Sequence, residues 1–347
     1  MPPAGSKTSA ASDRPTSATR PGPRLHVVTG KGGTGKSTVA AALAIALATG
    51  GRRVLLIEVE NRQGIAQLFD TPPLPYEERQ VAVAPGHGQV FGLAVDPEDA
   101  LLDYLDMFYS LRRGGQLLRR LGAIDFATTI APGLRDVLLT GKLKEAVDRR
   151  TGPNKSGERV YDAVVLDAPP TGRITRFLDV TAEVGTLARV GPIKAQADSV
   201  QRVLHSPMTA VHLVTLLEEM PVQETVDGVA ELRAADLPLG HIVVNMKQDP
   251  IGLLDHVTAD DITEGLRAAG LPSNAALVDG LLAEAEAHAD RIALQEREMR
   301  ELDALGTPIA TLPLLPGPPD LGGLYRLAKA LTAQGLVGSA PGAKADG

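Results

Sequence analysis

The sequence predicts an α/β fold, doubly wound, with a mostly parallel sheet of about seven or eight strands. Three observations predict it. Between residues 24 and 336 short β-branched runs alternate with longer segments of helical periodicity, the layout of crossover units around a parallel sheet. Several runs, VVLD at 164–167 and HIVVN at 241–245 among them, are apolar almost throughout, as strands covered on both faces are. The first run enters a glycine-rich turn that leads straight into an apolar helix, the opening of a βαβ unit.

In chain order the predicted strands are Leu25 to Thr29, Arg53 to Val59, Val90 to Val95, Tyr161 to Asp167, Ala210 to Leu217, His241 to Met246 and Pro308 to Leu312. Pro97 to Arg149 breaks the rhythm. It carries only helical periodicity and is far longer than an ordinary connection, which predicts a helical subdomain over about 97–150. Within it Leu101, Tyr104, Leu105 and Phe108 fall at i, i+3, i+4 and i+7, an apolar face that extends toward Phe126. Packing onto the sheet is the simpler reading of that stripe. A groove for a hydrophobic client is the other, although Met107 alone does not make the Met-rich lining of an adaptable groove. A second amphipathic segment, Leu281 to Leu302, puts Leu282, Ala285, Ala289, Ile292 and Met299 on one face and charged residues on the others.

Residues 1–23 and 337–347, rich in Pro, Ser, Thr, Ala and Gly, read as solvated tails on either side of the 24–336 domain. The first 23 residues contain no apolar core of a signal peptide, and the longest apolar run, Val39 to Ala48, is too short to span a bilayer. These features predict a cytoplasmic protein. The 347 residues carry 35 Lys and Arg against 42 Asp and Glu, a net charge of −7, with ten Phe and Tyr and no Trp. That balance argues against a nucleic-acid surface, which needs basic charge and stacking rings. The chain has no Cys, so disulfides, thiolate zinc sites, iron–sulfur clusters and cysteine nucleophiles are excluded.

The strongest chemical signal is LHVVTGKGGTGKSTV, residues 25–39. Gly30, Lys31, Gly32, Gly33, Thr34, Gly35, Lys36 and Ser37 satisfy G-x-x-x-x-G-K-[ST] between a strand and a helix, the context a phosphate-binding loop requires. Glycines let backbone N–H groups surround phosphate oxygens, and the helix N-terminus adds its unpaired donors and positive dipole end. Lys36 is placed to neutralise the outer phosphates, and Ser37 to put its hydroxyl on Mg²⁺, a hard cation suited to oxygen ligands. Thr38 completes the predicted ATP contacts of the loop.

Lys31, directly after the first glycine, extends the motif to GKGGxGK[ST]. With it the chain resembles the deviant Walker A ATPases, a resemblance that implies a lysine reaching the partner subunit's nucleotide in a dimer. Cationic fingers of that kind accelerate phosphoryl transfer by about 10³ to 10⁵. Asp167-Ala168-Pro169-Pro170-Thr171-Gly172 resembles the D-x-A-P-T-G switch of the arsenite-pump and tail-anchored protein targeting ATPases. The resemblance implies that Asp167 holds Mg²⁺ through water and that Gly172 rearranges with the γ-phosphate. Ala131 to Leu134, Thr140 to Leu143 and His241 to Asn245 are similar to further segments of this branch, the last carrying an adenine-contacting Asn at Asn245. Leu312-Pro313-Leu314-Leu315-Pro316 is similar to its base-covering loop, which adds Pro313 and Leu314 to the expected nucleotide contacts; a plain proline-rich turn is the alternative.

Two departures qualify the resemblance. Aligned on the branch's D-P-A switch, VLLIEVENRQ puts Glu60 at the Asp that orients the attacking water. The carboxylate is displaced by one methylene, about 1.5 Å, and misplacement on that scale costs up to about 10²-fold, so hydrolysis is expected to be slow. Glu58, two residues earlier on the same strand face, is a second candidate for that carboxylate. The single phosphate loop implies that two chains build the nucleotide sandwich, as a homodimer or as a heterodimer with a paralogous ATPase. The altered switch leaves room for a weakly hydrolysing, regulatory subunit of such a heterodimer. The expected partner beyond the dimer is a hydrophobic or membrane-protein client engaged through residues 97–150.

Overall fold

The computed structural model describes residues 22–59, 63–96, 99–100, 132–152, 156–179, 192–252 and 257–337. Eight strands form one sheet: β1 (Leu25–Gly30), β2 (Arg53–Glu58), β3 (Arg79–Ala84), β4 (Gly88–Ala94), β5 (Ala163–Asp167), β6 (Thr209–Thr215), β7 (Leu239–Lys247) and β8 (Ile309–Pro313). Their order is β3-β4-β2-β5-β1-β6-β7-β8. Every neighbouring pair is parallel except β3 with β4. The sheet therefore runs outward in both directions from β1, and ligands of such sheets bind outside the carboxyl ends of the strands at this reversal.

Nine helices are described: α1 (Lys36–Ala48), α2 (Gly64–Leu68), α3 (Pro132–Asp148), α4 (Thr171–Leu178), α5 (Pro192–Leu204), α6 (Glu219–Ala234), α7 (Ala259–Ala268), α8 (Ala275–Asp303) and α9 (Leu321–Ala333). They cover both faces. Alternate strand residues Leu25, Val27, Leu55, Ile57, Val164 and Leu166 join one core with α3 to α6, while Val28, Val54, Leu56, Val165 and Val243 join a second with α1 and α9. The period of two along each strand makes this division unavoidable once both faces are buried. α1 is apolar on every side because it lies between the sheet and α9, with Val39 to Ala48 all buried.

All seven predicted strands are present. β3 is the one missed, because RQVAVA sits at the sheet edge, half exposed, and pairs antiparallel across a short turn instead of through a crossover. The described part of the predicted helical insertion, α3, belongs to the layer over the sheet: Val137, Leu138, Leu143 and Val147 are buried in the core that holds β1 and β5. The stripe from Leu101 to Phe126 lies outside the described residues. Val337, assigned to the C-terminal tail by composition, is 5% exposed and packs in the α1/α9 core.

At the amino ends of the strands, away from the glycine loop, three histidines form a ladder. The His241 backbone N–H donates to His212 Nδ1 at 3.1 Å. That fixes the neutral His212 tautomer with its proton on Nε2, which donates to His26 Nδ1 at 3.1 Å, and His26 Nε2–H then donates to the Pro23 carbonyl at 3.2 Å. Burial holds His26 down to about 4 and His212 well below the usual imidazole range.

Candidate functional site

β1 ends in the glycine loop, and the loop is shaped by close approach. At Gly30 a Cβ would collide with the Val214 carbonyl of β6; at Gly35, φ 84°, it would collide with the Asn245 amide. Only glycine fits the second position on both steric and conformational grounds. Gly35 is also the N-cap of α1, and no side chain caps that helix. A helix N-terminus without a side-chain cap suits an anion.

The polar side chains converge on this turn. Lys36, 8% exposed, donates from Nζ to the Lys31 carbonyl at 3.2 Å, an oxygen that also accepts from Thr34 Oγ1 at 2.9 Å. Ser37 Oγ donates to Asp167 Oδ2 at 2.6 Å, joining the first turn of α1 to the carboxyl end of β5. Thr29 Oγ1 donates to the Pro169 carbonyl at 2.7 Å and fixes the start of the Asp167 to Gly172 segment against β1. Above them lies a cavity of about 520 Å³, reached by Gly33, Lys36, Ser37, Thr38, Glu58 and Asp167. A glycine turn leading into a helix N-terminus, a lysine and two oxygen-bearing side chains have the chemistry to hold polyphosphate with a divalent cation.

Glu58 and Asp167 are register partners on β2 and β5. Glu58 is 3% exposed, and its two oxygens accept from the backbone N–H groups of Gly64 at 3.2 Å and Ile65 at 3.4 Å. It holds the start of α2, a role the sequence did not reveal because the six-residue offset matches no capping pattern. Glu60 lies outside the described residues.

Lys31 forms an ion pair with Glu224 Oε1 of α6 at 2.8 Å. Glu224 Oε2 in turn accepts from Thr171 Oγ1 at 3.4 Å, so one carboxylate touches both the loop lysine and the switch segment. No local signal points to Glu224. Asn245, 4% exposed at the end of β7, donates from Nδ2 to the Thr34 carbonyl at 2.9 Å and so braces the loop from behind. Leu314 N–H donates to the Lys247 carbonyl at 2.9 Å, tying the segment after Pro313 to the exit of β7. The prolines that line the cavity are Pro318 and Pro319, a few residues beyond the predicted pair.

Comparison with known proteins decides the family. Residues 24–208, over half of the chain, match the family described as anion-transporting ATPase. The chain belongs to that family. It is 54% identical over 323 residues to "ATPase BagA" of Mycobacterium tuberculosis, covering 91% of this chain and 94% of the relative. It is 27% identical over 264 residues to "ATPase GET3" of Kluyveromyces lactis, covering 64% and 71%. A match at 27% over 234 residues to the "Arsenical pump-driving ATPase" of Acidiphilium multivorum covers 62% of this chain and 38% of the relative.

This anion-transporting ATPase family member is an ATPase. Among the described residues, no helix is long and apolar enough to cross a membrane. Nor do three or more His, Cys, Asp or Glu of the described residues assemble a metal site by themselves. A cation at Ser37 and Asp167 would take its remaining ligands from phosphates and water, the usual habit of Mg²⁺.

Proposed function

We propose that the protein binds Mg-ATP on the loop Gly30 to Thr38 and hydrolyses it as a nucleotide-sandwich dimer. The contact between Ser37 and Asp167 beside the glycine loop supports this reading, because a hydroxyl and a carboxylate brought together at a helix N-terminus would hold Mg²⁺, which would supply charge neutralisation at the phosphates. Mg²⁺ there would neutralise charge developing on the phosphate oxygens. Lys36 would hold the outer phosphates, and Lys31 would leave Glu224 to reach the nucleotide of the second chain. Asn245, with Nδ2 committed to Thr34, would offer its Oδ1 to the amino group of adenine. Glu60 would orient the attacking water.

ATP binding would draw two chains together through Lys31 and the switch segments, and hydrolysis would release them, moving the residues 97–150 insertion against a partner or cargo. The partner chain is a second copy or a paralogous ATPase, and the client is hydrophobic or a membrane protein. The proposed location is the cytoplasm. The test is ATP turnover with light-scattering mass for the wild type and Lys36→Ala. Unchanged turnover in the variant would sink the reading.

One observation favours a second reading, a slowly hydrolysing regulatory subunit. Glu58, the carboxylate nearest the cavity on β2, is occupied by two backbone N–H groups and is not free to serve as a base. Hydrolysis would then depend on Glu60 alone. Glu60→Asp would raise turnover in the isolated chain if the longer side chain is what limits it.

A further inference from the structure

α8 runs for 29 residues, and its two halves sit differently. Gln295, Glu298 and Leu302 of the second half are buried where the helix meets the domain beside α6. In the first half only Val278 and Ala285 are buried, and α7, which packs against it, has no buried residue. At 1.5 Å per residue that first half reaches about 24 Å. The α7–α8 hairpin therefore stands off the sheet as an arm.

Exposed apolar surface and negative charge both concentrate on this arm. Ile251, Leu271, Leu277 and Leu281 lie on the hairpin or the segment entering it, from 38% exposed at Leu277 to 55% at Leu271. Leu277 and Leu281 are one turn apart on α8 and present a single edge. Beside them a cavity of about 400 Å³ opens between the helices, walled by Ile251, Val257, Ile262, Leu281 and Ala285, with Glu284 and His288 among its lining. Residues 258–290 carry seven Asp and Glu against one Arg, a net charge of −6 out of the chain's −7. Asp260 with Glu264, and Glu286 with Asp290, are like charges at i, i+4, a spacing that destabilises a helix. Among the described residues no ion pair offsets any of these four.

An exposed apolar cleft between two helices, set in negative charge, has the form that receives a third, amphipathic helix with a basic outer face. Charge selects among the occupants. A second copy would bring −6 against −6, and a nucleic acid or an anionic bilayer would be repelled in the same way.

We propose that the α7–α8 hairpin docks a basic amphipathic helix of another protein. The apolar face of that helix covers Leu277, Leu281 and the cavity, and its Lys and Arg side chains meet the acidic surround. One of them also supplies a donor to His288 Nε2, which is buried with no hydrogen-bond partner among the described residues. The inference does not rest on the nucleotide reading.

Anisotropy titration of the full chain with a labelled peptide of about 18 residues, about five helical turns, tests it. The peptide has Leu at i, i+3, i+4 and i+7 and Lys elsewhere. One control scrambles it so that Leu is spread around the helix, and a second replaces Lys with Glu. The amphipathic Lys peptide is expected to bind at least about tenfold more tightly than either control, a comparison that needs no variant to fold. Leu277→Ser with Leu281→Ser, both at exposed positions, is expected to weaken binding about tenfold. Glu264→Gln, Glu284→Gln, Glu286→Gln and Asp290→Asn together are expected to weaken it about 3- to 10-fold and to flatten its salt dependence. Equal binding of the peptide and its scramble, or equal affinity of the wild type and the leucine variant, would overturn the proposal. A light-scattering mass that falls in the leucine variant would overturn it too, by making this face a contact between copies. So would flotation of the wild type with phosphatidylglycerol vesicles that the leucine variant loses, which would make it a membrane contact.

Discussion

Ser37 and Asp167, 130 residues apart in the chain, meet through a 2.6 Å hydrogen bond. β1 and β5 are adjacent and parallel, so the first turn of the helix after one and the last residue of the other necessarily share the same edge of the sheet. In the proposed reading these two side chains hold Mg²⁺, Asp167 through water. Asp167→Asn keeps the shape and removes the charge. Turnover is expected to fall about 100-fold or more, as when one stabilising group of a charged transition state is removed. Titrating Mg²⁺ against rate checks it, and an unchanged Mg²⁺ dependence would remove Asp167 from the metal site.

Glu224 holds Lys31 at 2.8 Å, but the two side chains are 39% and 28% exposed. Exposed pairs of this kind contribute about 0 to 1 kcal/mol, so Glu224→Ala is expected to change stability by less than about 1 kcal/mol in denaturant unfolding. The larger effect is expected on association, because freeing Lys31 removes a competitor for the second chain's nucleotide. Light-scattering mass as a function of ATP concentration reads it, and a midpoint identical to wild type would show that the pair does not restrain Lys31.

Glu58 is buried, and both its oxygens accept from backbone N–H groups at the start of α2. Hydrogen bonds to a charged acceptor exceed neutral ones by about 1 kcal/mol. Glu58→Gln is therefore expected to destabilise by about 1 kcal/mol, and Glu58→Ala by about 1–3 kcal/mol because two donors lose their partner. Equal midpoints for the two variants would contradict the capping role.

The histidine ladder makes stability depend on acid. His26 titrates near 4 in the folded chain, held down first by burial, against 6.5 unfolded. Between those values the unfolded chain binds the proton that the folded chain refuses, so this contribution is complete above about pH 6.5 and is lost as pH falls toward 4. The loss is of order 3 kcal/mol for His26 alone, and His212 acts in the same direction. Replacing His26 with Gln should flatten the pH dependence of the unfolding midpoint over this window. A slope as steep as wild type would assign the acid sensitivity elsewhere.

Much of this molecule was legible before any coordinates, for reasons confined to short stretches of chain. A strand, a glycine turn and a helix in succession point to a phosphate loop because the positive φ at Gly35 and the start of α1 directly after it are local facts. The all-apolar run at β5 specifies a strand buried on both faces, and its terminal Asp167 marks the carboxyl edge. β3 was not legible, since an edge strand that alternates and stays half exposed carries little hydrophobic signal.

What the tertiary structure alone decided is pairing across distance. That Lys31 lies against Glu224, that Asn245 commits its Nδ2 to Thr34, and that Glu58 caps α2 from inside the core all follow from which strands are neighbours. The same holds for Gln295, whose polar side chain on an amphipathic helix looks like a solvent-facing residue until the exit of β7 covers it. Sequence periodicity fixes which face of an element is apolar, because that depends on residues a few positions apart. Sheet order fixes which polar groups meet, because the free energy that sets it is summed over cores no single segment contains.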